Sequence, residues 1–175
     1  MNATKKSLLA LGCSLLLSVG VAQASGQMSF SGTVLAGTCE VNGGHNNVAV
    51  ILPPVSSSLL RNPGQIAGNT PFELRLSNCS AGLNRVATYF EAGPTVNPQG
   101  RLIVDTGGSN NVEVQLRNHN NVAMNLAGAQ GSQNSQVVDI TSGQALLSYS
   151  AEYYSLGNTT PGLVNTRVQY TLIYP

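Results

Sequence analysis

"VQYTLIYP", residues Val168–Pro175, closes the chain, and its alternation decides what kind of fold the sequence makes. Successive side chains of an extended chain face opposite ways, so Val168, Tyr170, Leu172 and Tyr174 share one face, and Thr166 and Val164 continue it backwards. The pattern predicts a strand of about eleven residues. A chain that ends on core-quality strand sequence needs an outer neighbour for that strand, drawn either from earlier sequence or from another molecule.

Working outward, the same period of two recurs. Met28, Phe30, Gly32 and Val34 alternate with polar residues, and Val48, Val50 and Leu52 do so before Pro53-Pro54. Phe72, Leu74 and Leu76 follow, then Val86, Thr88 and Phe90, then Val112, Val114 and Leu116, then Leu147, Tyr149, Ala151 and Tyr153. Turn-forming clusters separate these runs, among them Asn42-Gly43-Gly44, Asn62-Pro63-Gly64 and Asn97-Pro98-Gln99-Gly100. Short strands at this spacing predict an all-β antiparallel sandwich, with one helical turn at Ser56 to Leu60. The chain has no Trp, and Cys39 falls in what reads as the first long strand, so an antibody-type domain with a Trp beside an inter-sheet disulfide does not fit.

The first 24 residues read as a secretory signal: Lys5 and Lys6, an apolar stretch from Leu8 to Val21, and Ala22-Gln23-Ala24 as a small-x-small cleavage site. The apolar stretch is short for a membrane anchor. Apolar sequence continues past Cys13, which disfavours a lipid-modified cysteine there. Removing 24 residues from 175 leaves 151, enough for one domain with a real core. That remainder holds six arginines, no lysine and seven acids, a formal charge of −1, with the arginines scattered singly. No basic footprint for nucleic acid or anionic lipid exists in such a pattern. Cys39 and Cys79 survive processing, and in an exported chain they are expected to form one structural disulfide.

Residues suited to catalysis are few. His45 sits in a Gly/Asn loop, His119 stands among asparagines, and Asp105 and Asp139 flank strand sequence where a lone carboxylate caps a turn. No metal-binding, nucleophile-elbow or phosphate-loop pattern occurs, so the sequence predicts neither an enzyme nor a cofactor nor a metal. The tyrosines Tyr149, Tyr153, Tyr170 and Tyr174 follow strand parity, which places them in a core or groove rather than on a sugar-binding surface.

Taken together, the two ends resemble a known family. "SGQMSFSGTVLAGTCEV" (25–41), "FELRLSNC" (72–79), "AEYYS" (151–155) and a penultimate Tyr174 closely resemble the type 1 fimbria-like pilin subunits of the chaperone-usher pathway in Gram-negative bacteria. The resemblance covers essentially the whole chain after the signal. It implies an incomplete immunoglobulin-like sandwich lacking its seventh strand, with residues 1–24 as signal peptide, 25–37 as a donor-strand extension and 38–175 as the pilin domain. It implies that Met28, Phe30, Gly32 and Val34 are donor-strand residues, and that Val168, Tyr170, Leu172, Tyr174 and Pro175 form the acceptor groove and chaperone-binding end. The implied partners are a periplasmic chaperone, an outer-membrane usher and neighbouring subunits in a head-to-tail cell-surface fibre. Two other readings stay open at this point, a self-contained secreted sandwich whose N-terminal strand covers its own C-terminal strand, and a sugar-binding tip module. Adhesins of the family carry a further receptor domain, for which 151 residues leave no room.

Overall fold

The two longest strands carry the clearest alternation. A computed structural model describes residues 28, 29, 31 and 37–175. Within it β2 (Ile66–Ser77) and β7 (Ala145–Ser155) pair antiparallel, setting Phe72, Leu74 and Leu76 opposite Tyr149, Leu147 and Ala145. Leu74 and Leu147 are fully buried, so one face of this ribbon is core and fixes the register, since a slip by one residue would expose it. A bulge interrupts the ladder between Ala67 and Thr70. Gly68 supplies it: its φ of +68° suits glycine, and a Cβ there would lie 2.9 Å from the Tyr153 ring.

Around this pair the chain builds two antiparallel sheets. β1 (Glu40–Val41), β4 (Leu102–Ile103) and β5 (Val112–Asn118) complete a five-stranded sheet in the order β1-β2-β7-β5-β4. β3 (Arg85–Phe90), β6 (Val137–Asp139) and β8 (Tyr170–Ile173) form a three-stranded sheet in the order β6-β3-β8. The core lies between them, with Val86, Leu126 and Leu147 entirely shielded. Tyr149 links the sheets, tilted against Phe72 of its own sheet at 5.6 Å and edge-on to Phe90 of the other at 5.4 Å.

Several sequence expectations change in the structure. The 3-10 turn at Ser57–Leu60 and the main strand runs are where the alternation put them. Cys39 does not sit in a long strand: pairing covers only Glu40 and Val41, because the chain turns into a 3-10 segment at Asn42–Gly44, where Asn42, Gly43 and Gly44 all take positive φ. The run at Val48, Val50 and Leu52 is extended and alternately half-buried, yet belongs to neither sheet. The C-terminal run is likewise extended from 163 onward, but only Tyr170–Ile173 lies in a ladder. In both places the side-chain period holds, but among the described residues the first run has no backbone hydrogen-bonding neighbour and the second is bonded along one side only.

Cys39 and Cys79 form the expected disulfide, with an S–S distance of 2.00 Å, beside the Glu40–Ser77 pairing of β1 and β2. It therefore ties two neighbouring strands of one sheet rather than bridging the sheets.

Candidate functional site: an open groove along the edge of β8

Two extended segments face one another across the sandwich without a strand between them. One lip is residues 46–55, on which Val48, Val50, Leu52 and Val55 are half-buried and Ala49 and Ile51 exposed. Pro53 and Pro54 close it, and a residue without an N–H suits an edge. The other lip is residues 163–172, where Val164, Thr166, Val168, Tyr170 and Leu172 turn inward and alternate residues face solvent. Between the lips runs a groove of about 1530 Å³. Its floor comes from both sheets, including Phe72, Leu74, Val112, Val114 and Leu116 on one side and Phe90 on the other.

Backbone hydrogen bonding gives the groove its chemistry. Along the C-terminal lip the carbonyls of Leu163, Asn165 and Gln169 accept from the amides of Ser109, Asp105 and Glu91, and the Arg167 carbonyl accepts from Thr95 Oγ1. In an extended chain the backbone groups of the intervening residues point the other way, toward the groove. Among the described residues, those of Val164, Thr166 and Val168 have no backbone partner, and no backbone–backbone bond involves residues 46–55. Paired N–H and C=O groups are the rule in folded chains, so two facing rows of unpaired ones form a template for an added strand. Lip residues Val164 to Leu172 span about 26 Å at 3.3 Å per residue.

The residues expected from the sequence distribute as follows. Val168, Tyr170 and Leu172 line the groove, as does Cys39. Tyr174 lies outside the groove lining. It is half-buried, and its hydroxyl accepts from the Cys39 amide at 2.9 Å and bonds Thr38 Oγ1 at 2.5 Å, tying the end of the chain to the start of the domain. Pro175 is exposed. Met28 is exposed as well, whereas Phe30, Gly32 and Val34 lie outside the described residues. Sequence reasoning missed Val48, Val50 and Leu52 as the opposite lip, although a period-two run ending in Pro-Pro was the signal for an edge. It also missed the Tyr170 hydroxyl, which donates to the Asn46 carbonyl at 2.7 Å and so joins the two lips. Burial raises the Tyr170 phenol above its ordinary pKa.

Two of the titratable groups weighed from the sequence have structural partners. Asp105 pairs with Arg167 at 3.0 Å instead of merely capping a turn, and His119 meets Gln136 Oε1 at 3.1 Å. Two carboxylates that the sequence did not mark are buried on the outer face of the large sheet. Glu152 accepts from Arg117, Gln115 and Asn69 at 2.6, 2.8 and 3.2 Å, and Glu113 from Arg101 and Asn97, each at 2.6 Å. These donors account for both carboxylates within the fold.

The groove can be set beside what the chain is similar to. The family profile described as fimbrial protein matches residues 28–175. The major fimbrial subunit SMF-1 of Stenotrophomonas maltophilia is 44% identical over 159 residues, covering 86% of this chain and 93% of that protein. The F17 fimbrial protein of Escherichia coli is 34% identical over 156 residues, covering 85% and 87%. A chain from the solved structure of a chaperone-usher pilus superposes with a TM-score of 0.62 at 19% identity, covering 90% of this chain and 100% of that one, a likeness of fold. With the profile running from Met28 to the last residue and a relative at 44% identity, the chain belongs to the fimbrial protein family.

Proposed function

We propose that this structural subunit of a cell-surface fimbria joins its neighbours by donor-strand exchange, with residues 25–37 of one subunit laid into the groove of the next. The observation that carries the reading is the pair of facing lips, 46–55 and 163–169, whose groove-side backbone groups lack backbone partners among the described residues. An inserted strand supplies hydrogen bonds to both lips through its own backbone and buries alternate side chains on the apolar floor. Met28, Phe30 and Val34 are the side chains offered, with Gly32 at a shallow position. Burying three large apolar groups contributes about 5 to 8 kcal/mol, and each new backbone bond adds about 1 kcal/mol net. Because the strand completes the acceptor's core, its release requires partial unfolding, which makes the joint kinetically stable. Each subunit carries both a donor and a groove, so the contact is head-to-tail and generates a filament.

The same exposed edge accounts for the other expected partners. A sheet edge of this length is an aggregation hazard until it is covered, so a periplasmic chaperone that lends a strand and an outer-membrane usher that exchanges it fit the unpaired lips. Residues 1–24 are read as the export signal and 38–175 as the domain that holds the groove. The test is Phe30→Asp, which places a charge on a side chain that must enter an apolar floor. It is expected to abolish fibres seen by electron microscopy while the subunit still co-purifies with its chaperone. Normal fibres from this variant would remove residues 25–37 from the joint.

A further inference from the structure

We infer that the Tyr170 hydroxyl is a strap across the groove, and that its bond to Asn46 sets the rate at which a strand is taken up. The inference rests on the donor-strand reading, and concerns how the groove behaves before a strand is seated. Tyr170 stands on β8, Asn46 opens the opposite lip, and the 2.7 Å hydrogen bond between them joins residues 124 apart in sequence. Groove-lining residues continue beyond this bond, through Leu172 on one lip side and Cys39 and Val41 on the other, so the strap crosses the groove short of its end.

Geometry makes the strap and an inserted strand compete. A missing strand leaves a gap of two ladder spacings, about 9.5 Å, and the hydrogen bond from the Tyr170 hydroxyl to the Asn46 carbonyl joins the two lips across it while the ring stays on the groove wall. The Asn46 carbonyl is one of only two on the 46–55 lip, with that of Pro53, that accept a hydrogen bond among the described residues, and both donors are tyrosine hydroxyls. Seating a strand along the full groove therefore exchanges one partner of Asn46 for another. The hydroxyl must leave first, and the incoming amide arrives later. This order puts the cost on the association rate and leaves the filled state unweakened.

Tyr170→Phe tests the strap, because it removes only the hydroxyl and keeps the ring on the groove wall. The purified monomer is mixed with an excess of a dye-labelled synthetic peptide of residues 25–37, and uptake is followed by fluorescence anisotropy. Tyr149→Phe serves as the comparison, since it loses a hydroxyl bonded to Ser135 at 3.0 Å outside the groove lining. The expected result is uptake about three- to tenfold faster for Tyr170→Phe, with an unchanged dissociation rate and with Tyr149→Phe matching the parent. Equal or slower uptake by Tyr170→Phe overturns the strap while the peptide's binding leaves the donor-strand reading standing. Equal acceleration by both variants also overturns it, since general loosening then explains the rate. No uptake by any of the three proteins overturns the donor-strand reading and the strap together.

Discussion

The sandwich has two seams, and the chain treats them in opposite ways. On the β6 side, side-chain amides close what the strands leave open. β6 pairs with β3 only as far as Ala87, and beyond it Gln133 stands in for a strand residue: its Oε1 accepts from the Phe90 amide at 2.9 Å and its Nε2 donates to the Phe90 carbonyl at 2.6 Å. Gln136 Nε2 donates to the Ser148 carbonyl at 2.8 Å, and Ser135 meets the Tyr149 hydroxyl, stitching the small sheet to the large one. On the β8 side, corresponding backbone groups face the groove, and two tyrosine hydroxyls, those of Tyr170 and Tyr174, reach across to Asn46 and Cys39. One edge is sealed permanently by polar side chains from a long loop. The other keeps its ladder positions available. The difference teaches that the open edge is not a general weakness of a small sandwich, because the same chain spends buried glutamines to seal its other edge.

The largest expected effect tests what anchors the open side. The Cys39–Cys79 bridge, with a sequence separation of 40, ties the segment leading to the 46–55 lip to the end of β2. Constraining a loop of that size in the unfolded chain is worth about 4 kcal/mol. Cys39→Ala with Cys79→Ala is expected to lower the urea midpoint accordingly, and to release the lip before the rest of the sandwich in hydrogen exchange. Uniform loss of protection on both seams would show that the two sides do not differ in this way.

Next comes a direct comparison of the core with the groove wall. Leu147 is completely buried, so Leu147→Ala is expected to cost about 3 kcal/mol in urea unfolding of the monomer. Val168 is only half-buried on the groove, so Val168→Ala is expected to cost under about 1 kcal/mol in the monomer. On the donor-strand reading a seated strand covers Val168, so Val168→Ala is expected to cost more in assembled fibres than in the monomer. Equal costs for the two substitutions in the monomer would mean that the groove wall is already covered there.

Much of this architecture was legible in the sequence, and the remainder was hidden for identifiable reasons. Period-two patterns report which face of a segment is apolar, so Val86 to Phe90, Val112 to Leu116 and Leu147 to Tyr153 were found with the correct faces. They do not report whether a backbone neighbour exists, which is why 48–52 and 164–169 read as strands although, among the described residues, the first has no backbone partner and the second is bonded on one side only. β4 and β6 are too short, at two and three residues, to show a period at all. Gln133 left no trace, because a buried glutamine looks like any loop glutamine until Phe90 is seen beside it. The tyrosine parity was right, but the Tyr170 hydroxyl depends on a partner 124 residues away.

A smaller effect probes the sealed seam. Gln133 is almost fully buried, and Gln133→Leu keeps its approximate bulk while orphaning the Phe90 amide and carbonyl. Leaving buried backbone groups unpaired costs about 2 kcal/mol. A drop of that size in urea unfolding, with faster exchange of the Phe90 amide, is expected. If stability is unchanged, water satisfies Phe90 and the seam is not sealed by the side chain.

The smallest effect is a pH dependence on the same side. Burial raises the Tyr149 phenol above its ordinary value near 10, with its bond to Ser135 and contacts to Thr88 acting in the opposite direction. The folded chain therefore holds this proton more tightly than the unfolded one. Below about pH 10 both states keep it and the native contribution is complete. As pH rises past that value the unfolded chain gives up the proton first, binds fewer protons than the native state, and stability falls until the folded pKa is passed. Tyr153 and Tyr170 shift in the same direction for the same cause, so the alkaline decline in the parent protein is a sum over three phenols. Tyr149→Phe is expected to make that decline shallower without abolishing it, as read from urea midpoints between neutral pH and pH 11. Combining it with Tyr170→Phe separates the seams: if Tyr149 accounts for most of the slope, the sealed side holds its phenol away from water, as its amide stitching requires. If Tyr170 accounts for as much, the groove wall is as well shielded as the closed seam, and the contrast between the two edges lies in backbone pairing alone.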